Sequence, residues 1–353
     1  MEPWLSVIMP VHGGSRYLPA TLASVATQDT RGIEFLIYDS SPDDACRRIV
    51  DAYSSRLTIR YKAMPLVSGW PDKTNLAVKD AAAPYIAILH QDDLWMPGHV
   101  DAVRTSVAEN PSVAMNVASS QFVDTNGRHV GRWSLPLSAG IWPGKEFGRR
   151  LIVQNFIAIP APVIRRVDWL ASGGMDPALW YTADWDLYLK LARRGEIAIR
   201  SSPTTAFRIH GQSLTMTGSR NIKSLHDQLD IVLLRHGDTF DTEHDRRLRA
   251  RALTSIAINC ELAKGAAGQP KWLRATISHF LKLGPIESLR YAHEARLMDR
   301  VLPRIRGAWP EACEPDAHYS VHPLLPCRGY RNANLLCVTD WLYDPGPSLC
   351  GGE

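Results

Sequence analysis

The sequence predicts an α/β fold: a Rossmann-like, mostly parallel sheet with helices on both faces, followed by a C-terminal helical region. Three observations carry this reading. Short apolar runs alternate with helical patterns through about the first ninety residues. Carboxylates stand at the ends of several of those runs. Beyond about residue 215 strand signals fade, and helical patterns rich in Arg, Leu and Ala replace them. Hydrophobic residues make up 45% of the chain and charged residues 22%, ordinary values for a globular protein with a sizeable core. The net charge of +4 is too mild for a dedicated nucleic-acid binder, so no nucleic-acid partner is expected.

The elements follow in order. "WLSVIMPV" (4–11) reads as a buried strand and "RYLPATLASVATQ" (16–28) as an amphipathic helix. "IEFLIYD" (33–39) is a second apolar strand ending in an acid. "DDACRRIVDAYSS" (43–55) is helical, with acids in its first turn where the helix dipole favours them. "LTIRYKA" (57–63) is a third strand, "DKTNLAVKDAA" (72–82) a helix, and "YIAILHQDD" (85–93) a fourth strand. The pattern then becomes mixed. Strand is expected over 112–124, with a turn at Asn126-Gly127, then around 128–133 and over 156–166. "DWDLYLKLARRG" (184–195) has Trp185, Tyr188, Leu189 and Ala192 at helical spacing, and Gly195 is a natural stop.

Three regions are expected: 1–217, 218–310 and a Cys/Pro/Gly-rich tail, 311–353. Residues 220–306 carry about sixteen Lys and Arg against about ten Asp and Glu. That excess suits either a solvated helical face or contact with an anionic membrane surface. The opening "MEPWLSVIMPVHGG" lacks a basic segment and breaks at Pro10. No apolar run approaches the roughly 18 residues of a membrane span. The expected location is therefore the cytoplasm, with peripheral contact at the inner face of the membrane through the basic helices. Cys46 and Cys260 read as buried thiols. Cys313, Cys327, Cys337 and Cys350, near His318 and His322, match no strong zinc spacing.

Ligands on such sheets bind beyond the carboxyl ends of the strands. His12, Asp39, Asp92 and Asp93 all fall there. The adjacent acids suit a hard divalent cation that takes oxygen ligands, and equally a capped turn ahead of Pro97. Asp39 suits a ribose or base N–H, or a turn. The Pro10-Val11-His12 exit from the first strand suits a wall for a base. Trp95 suits either the C–H face of a sugar or core packing, and Gly173-Gly174 a tight turn near a ligand.

The blocks "SVIMPVHGGSRYLPATLASVATQ", "IEFLIYDSSPDD", "NLAVKDAAAPYIAILHQDDLWMPGHVD", "GGMDPALWYTADWDLYLKLARRG" and "FRIHGQSLT" occur in this order over about residues 4–217. Together they resemble a family 2 glycosyltransferase of the GT-A fold. The resemblance implies inverting transfer from a nucleotide-sugar, a UDP-sugar first among donors, to a glycan or lipid-linked acceptor in cell-surface polysaccharide synthesis. Position by position it implies Asp39 at the base and ribose, and Asp93 as a direct Mg²⁺ or Mn²⁺ ligand. Asp92 falls at the ribose or sugar, Asp184 at the catalytic base, and His210 near metal and diphosphate. Pro10, His12 and Asn75 fall at the nucleotide, Trp95 and Gly174 at the sugar. Departures are Tyr38 where the family has a first acid, Gln91 at the head of the acidic motif, and Thr74 where Arg precedes Asn75. Asp186, roughly 200° around the helix from Asp184, would face elsewhere. A nucleotidyltransferase would need a stronger basic glycine loop than "HGGSRY". A dehydrogenase lacks its G-x-G-x-x-G. Intact Asp39, Asp93, Asp184 and His210 speak against a non-catalytic sugar-binding relative.

Overall fold

All seven residues of β1 (Leu5–Val11) are buried, and so are all seven of β2 (Ile33–Asp39). Continuous burial is what an apolar run covered on both faces requires. The computed structural model, which describes residues 2–214, 220–299, 301 and 302, sets these strands side by side and parallel, with Val11 opposite Asp39. Helices α1 (Leu18–Ala26), α2 (Ala45–Asp51) and α3 (Trp70–Asp80) link β1, β2, β3 (Thr58–Ala63) and β4 (Tyr85–Ile88) in the expected alternation. Strand β1 pairs with β4 on its other side, also parallel. The strand order β3-β2-β1-β4 reverses direction between β1 and β4, which opens a crevice at the ends of β1 and β4.

The second half of the sheet is mixed. Its elements are β5 (Leu94–Trp95), α4 (His99–Glu109), β6 (Met115–Val123), β7 (His129–Trp133), β8 (Gly140–Trp142), α5 (Gly144–Leu151), β9 (Val163–Arg165), α6 (Arg166–Ala171), α7 (Ala183–Ala192) and β10 (Ile197–Arg208). Strand β9 lies antiparallel between β4 and β6, and β10 runs parallel to β6. Two expectations change here. The run 156–166 pairs only over Val163–Arg165. Pro160 and Pro162 lack the N–H a ladder needs, so Phe156 and Ile157 are buried as loop. The fourth strand ends at Ile88, and the acids beyond it lie in a turn.

Helices α8 (Ile222–His236), α9 (Arg246–Ala266), α10 (Trp272–Leu283) and α11 (Pro285–Glu294) follow. Asn221 and Asp245 cap α8 and α9 by accepting backbone N–H groups. Leu225, Leu229 and Val232 of α8 and Leu248 and Ile256 of α9 join one buried cluster with Ile8, Ile88 and Phe147. The expected boundary at 217 falls within 215–219, outside the described residues, yet the segments on either side of it share this core. The described residues belong to one compact unit, Met1–Pro310. The tail 311–353, with Cys313, Cys327, Cys337, Cys350, His318 and His322, lies outside the described residues. Cys46 and Cys260 are buried free thiols. No helix among the described residues is long and apolar enough to cross a membrane.

Candidate active site

A cavity of about 530 Å³ opens where β1 and β4 end, and the sheet forms one wall and the helical region the other. Pro10, His12, Asp92 and His210 line one part of its surface, and Asp184 and Asn259 another. The end of β1 is held by its neighbours. Gln91 donates to the His12 carbonyl at 3.0 Å and accepts the His12 N–H at 2.8 Å, a reciprocal amide clamp. The His12 ring approaches Ser40 within 3.0 Å through Nδ1. Beneath them the buried Lys73 ammonium donates to the Val11 carbonyl at 2.6 Å and to Ser40 Oγ at 2.8 Å, and burial pushes that amine down to about 8.

The turn after β4 gathers the acids. Asp92 Oδ2 lies 2.8 Å from His210 Nε2. Burial pushes the Asp92 carboxyl up, but the His210 contact and the His90 imidazole outweigh it and hold the group below the usual value. Asp93 is 1% exposed. Its Oδ1 accepts the Arg208 backbone N–H at 3.1 Å, and its Oδ2 has no hydrogen-bond partner among the described residues. Burial, then the neighbouring Asp92 charge, pushes the Asp93 carboxyl well above the usual value. Ligand atoms of His90, Asp92 and Asp93 lie within 4.8 Å of one another. A buried oxygen without a partner, two adjacent acids and an imidazole form a donor set that a divalent cation satisfies, Mn²⁺ through mixed oxygen and nitrogen ligation or Mg²⁺ through the oxygens. Of the two acids, Asp92 is the one that lines the cavity.

Asp184 sits in the first turn of α7. Its Oδ1 accepts the Trp185 N–H at 2.8 Å, and its Oδ2 accepts from the Asn155 amide at 3.1 Å. Burial lifts its carboxyl to about 6, the range of a general base near neutral pH. Asp186 points away from the cavity. Its Oδ1 meets Arg235 and His236 of α8, each at 2.8 Å, and its Oδ2 meets Lys190 at 2.6 Å. The 200° separation expected for a helix is what divides the two acids.

Other residues singled out from the sequence sit elsewhere. Asp39 is 3% exposed, and its oxygens accept from the Ser41 N–H at 2.7 Å and the Tyr61 hydroxyl at 2.8 Å, just beneath the cavity wall. Asn75 and Gly174 meet each other. The Asn75 amide bonds both the N–H and the carbonyl of Met175, at 2.9 and 2.7 Å, and Gly174 turns there with φ of +71°. Neither lines the cavity. Trp95 is 2% exposed, packed 4.5 Å from the His99 ring and 6.2 Å from Phe35, on the core side of β5. Tyr38, noted from the sequence as a departure from the family pattern, donates to Asp80.

Several site residues had no reading from sequence. Asn155 lies in a loop with no periodic signal. Arg208 sits two residues before His210 and looked like any strand cation. Here its Nε donates to the Asp92 carbonyl at 2.8 Å, and its guanidinium lies 4.9 Å from the Tyr17 ring centre. Trp70, Trp133, Trp180 and Trp185 all contribute to the cavity wall, each with its indole N–H bonded to protein.

Comparison with known proteins adds a context for this site. The sequence model of glycosyl transferase family 2 matches residues 6–171. An uncharacterized glycosyltransferase of Rickettsia prowazekii is 22% identical over 235 residues, 64% of this chain and 70% of that protein. A chondroitin synthase of Escherichia coli is 25% identical over 195 residues, 55% of this chain but only 27% of that longer protein. Among solved structures, Staphylococcus aureus TarS 1–349 in complex with UDP-GlcNAc superposes with a TM-score of 0.55 at 16% identity, covering 82% of this chain and 92% of that one. The mannosyltransferase PcManGT of Pyrobaculum calidifontis, in complex with GDP-Man and Mn²⁺, gives 0.51 at 17% identity and 88% coverage of each chain. These likenesses are of fold, the GT-A architecture.

Proposed function

We propose that this chain, whose residues 6–171 match the glycosyl transferase family 2 model, is a glycosyltransferase that moves a sugar, with inversion and with the help of a divalent cation, from a nucleoside-diphosphate sugar to a hydroxyl of a glycan or lipid-linked acceptor during cell-surface polysaccharide synthesis. The observation that carries this reading is that one cavity is lined by Asp92 and His210 of the acidic turn and also by Asp184, whose carboxyl is tuned to about 6. UDP-GlcNAc and GDP-Man in the two fold relatives favour a nucleotide-sugar donor, with a UDP-sugar first to be tried.

In this reading the nucleotide lies against the β1 exit, where Pro10 and the Gln91-clamped His12 form a rigid wall. Asp39 acts through that wall rather than from the cavity surface. His90, Asp92 and Asp93 would hold the cation, with His210 orienting Asp92. A bound Mg²⁺ or Mn²⁺ would offset the negative charge that grows on the departing diphosphate. Asp184 accepts the acceptor hydroxyl proton as that oxygen bonds the anomeric carbon and the bond to the diphosphate breaks on the opposite side. A single displacement of this kind inverts the anomeric centre. Asn155 keeps the Asp184 carboxylate aimed while it is ionised. The aromatic wall excludes water, which would otherwise compete as acceptor.

The test is turnover of UDP- and GDP-sugars by the purified chain. With Mn²⁺, a nucleoside diphosphate is released and one sugar gives a rise in melting temperature, because a ligand that binds only the folded state stabilises it. EDTA abolishes release, and added Mn²⁺ restores it. Unchanged release in EDTA would overturn the cation assignment. No release or shift with any nucleotide-sugar would overturn the donor assignment.

A further inference from the structure

The last two described helices leave apolar side chains in solvent in a regular array. On α10, Leu273 is 54% exposed, Ile277 49% and Leu281 77%, and a spacing of four residues puts them on one stripe. On α11, Ile286 and Leu289 are 77% and 75% exposed, three residues apart. The turn at Gly284, with φ of +82°, brings the ends of the two stripes within five residues of chain. These side chains are not surplus from the core. The inward faces of both helices are already used, with Thr276 and Tyr291 buried and the Phe280 and Tyr291 rings 5.7 Å apart.

The charges beside the stripe have one sign. Lys271, Arg274, Lys282 and Arg290 are exposed. The acids of the same stretch are withdrawn: Glu294 is 4% exposed and bonds Arg150, Arg251 and Arg290, and Glu287 is paired with Arg251. A contiguous apolar surface of this kind is uncommon on a free protein and marks a contact face. An apolar stripe edged by Lys and Arg is the pattern of a helix lying in a bilayer interface.

We propose that the α10–α11 face docks on an anionic phospholipid bilayer, with Leu273, Ile277, Leu281, Ile286 and Leu289 entering the boundary between headgroups and acyl chains. Lys271, Arg274, Lys282 and Arg290 meet the lipid phosphates. A second copy of the chain fits this face poorly. A two-fold contact places the same patch on both sides, so Lys271, Arg274 and Lys282 would meet their own copies. Docking of this kind is independent of the transfer reaction, since neither donor nor cation takes part.

The experiment is co-sedimentation of the full chain with phosphatidylcholine vesicles, with and without phosphatidylglycerol, in the absence of nucleotide-sugar. Vesicles containing phosphatidylglycerol carry the protein down, and raised salt weakens the effect. A Leu281→Ser, Leu289→Ser double variant loses about tenfold or more in partitioning, at an unchanged melting temperature. Lys282→Glu weakens binding to the anionic vesicles alone. Protein left in the supernatant with anionic vesicles overturns the proposal, as does full binding by the serine variant. A dimer that the serine variant converts to monomer, with no vesicle binding, would assign the face to a second copy instead.

Discussion

In the proposed transfer Asp184 is the side chain on which the chemistry turns, and its environment makes two opposed demands. Burial lifts its carboxyl from 3.8 to about 6. Below that pH the group is protonated and cannot accept the acceptor's proton. The transfer rate should therefore rise as pH climbs through about 6 and level off above it, a profile that steady-state rates from pH 5 to 8 will check. The same shift acts on stability with the opposite sense. The folded state holds this proton more tightly than the unfolded chain does, so stability from this group is present at low pH and is lost as pH rises through about 6. Asp184→Asn should cut transfer by roughly 10²–10⁴-fold, yet raise the melting temperature at pH 7.5 by roughly 2–6 °C. The place of this acid in a first helical turn was legible in the sequence, and so was its separation from Asp186. What surrounds it was not, because Asn155 comes from a loop 29 positions away. Trp95 shows the opposite limit. An aromatic beside an acidic turn suits sugar or core equally, and only packing against Phe35 and His99 decides for core.

At the scale of elements, β1, β2 and β4 could be read directly, since apolar runs buried on both faces leave an uninterrupted pattern. Strand β10 could not. Its sequence "IAIRSSPTTAFR" carries a polar, proline-bearing middle, and its pairing with β6 breaks register between Arg200 and Thr205. The turn at Gly173-Gly174 was legible as a turn, but its partner was not. Asn75, from α3, closes it with two hydrogen bonds to Met175. A Cβ on Gly174 would lie 2.5 Å from Asn75 Oδ1, at a φ that side chains rarely adopt. Gly174→Ala should cost roughly 1–3 kcal/mol and lower the melting temperature by several degrees. Combined with Asn75→Ala, its cost should be less than the sum of the two, because the second change removes the atom that the new methyl meets. Calorimetry of the two single variants and the double closes that cycle.

For the molecule as a whole, the match to the family ends at residue 171, whereas Asp184, His210 and the helices that wall the cavity lie beyond it. Beyond that point a buried carboxylate ties α7 to the helical region. Asp186 holds Lys190 on its own helix and Arg235 and His236 on α8. Burial raises its carboxyl, but the His236 and Lys190 contacts outweigh that and bring it down to about 2. Its contribution is therefore full above about 4 and is lost as pH falls through about 2. Asp186→Ala should destabilise the protein by roughly 3–5 kcal/mol at pH 7 by stranding cations, and urea titrations should show that gap shrinking between pH 4 and pH 2. Helix α7 thus carries two acids on opposite sides of its axis, one gripped by α8 and the other facing the cavity. A turn of α7 driven from α8 would swing Asp184 across the cavity in the opposite sense. The aim of the proposed base would thereby be geared to the seating of the helical region, and substitutions at Arg235 and His236, which hold Asp186, should detune the proposed reaction.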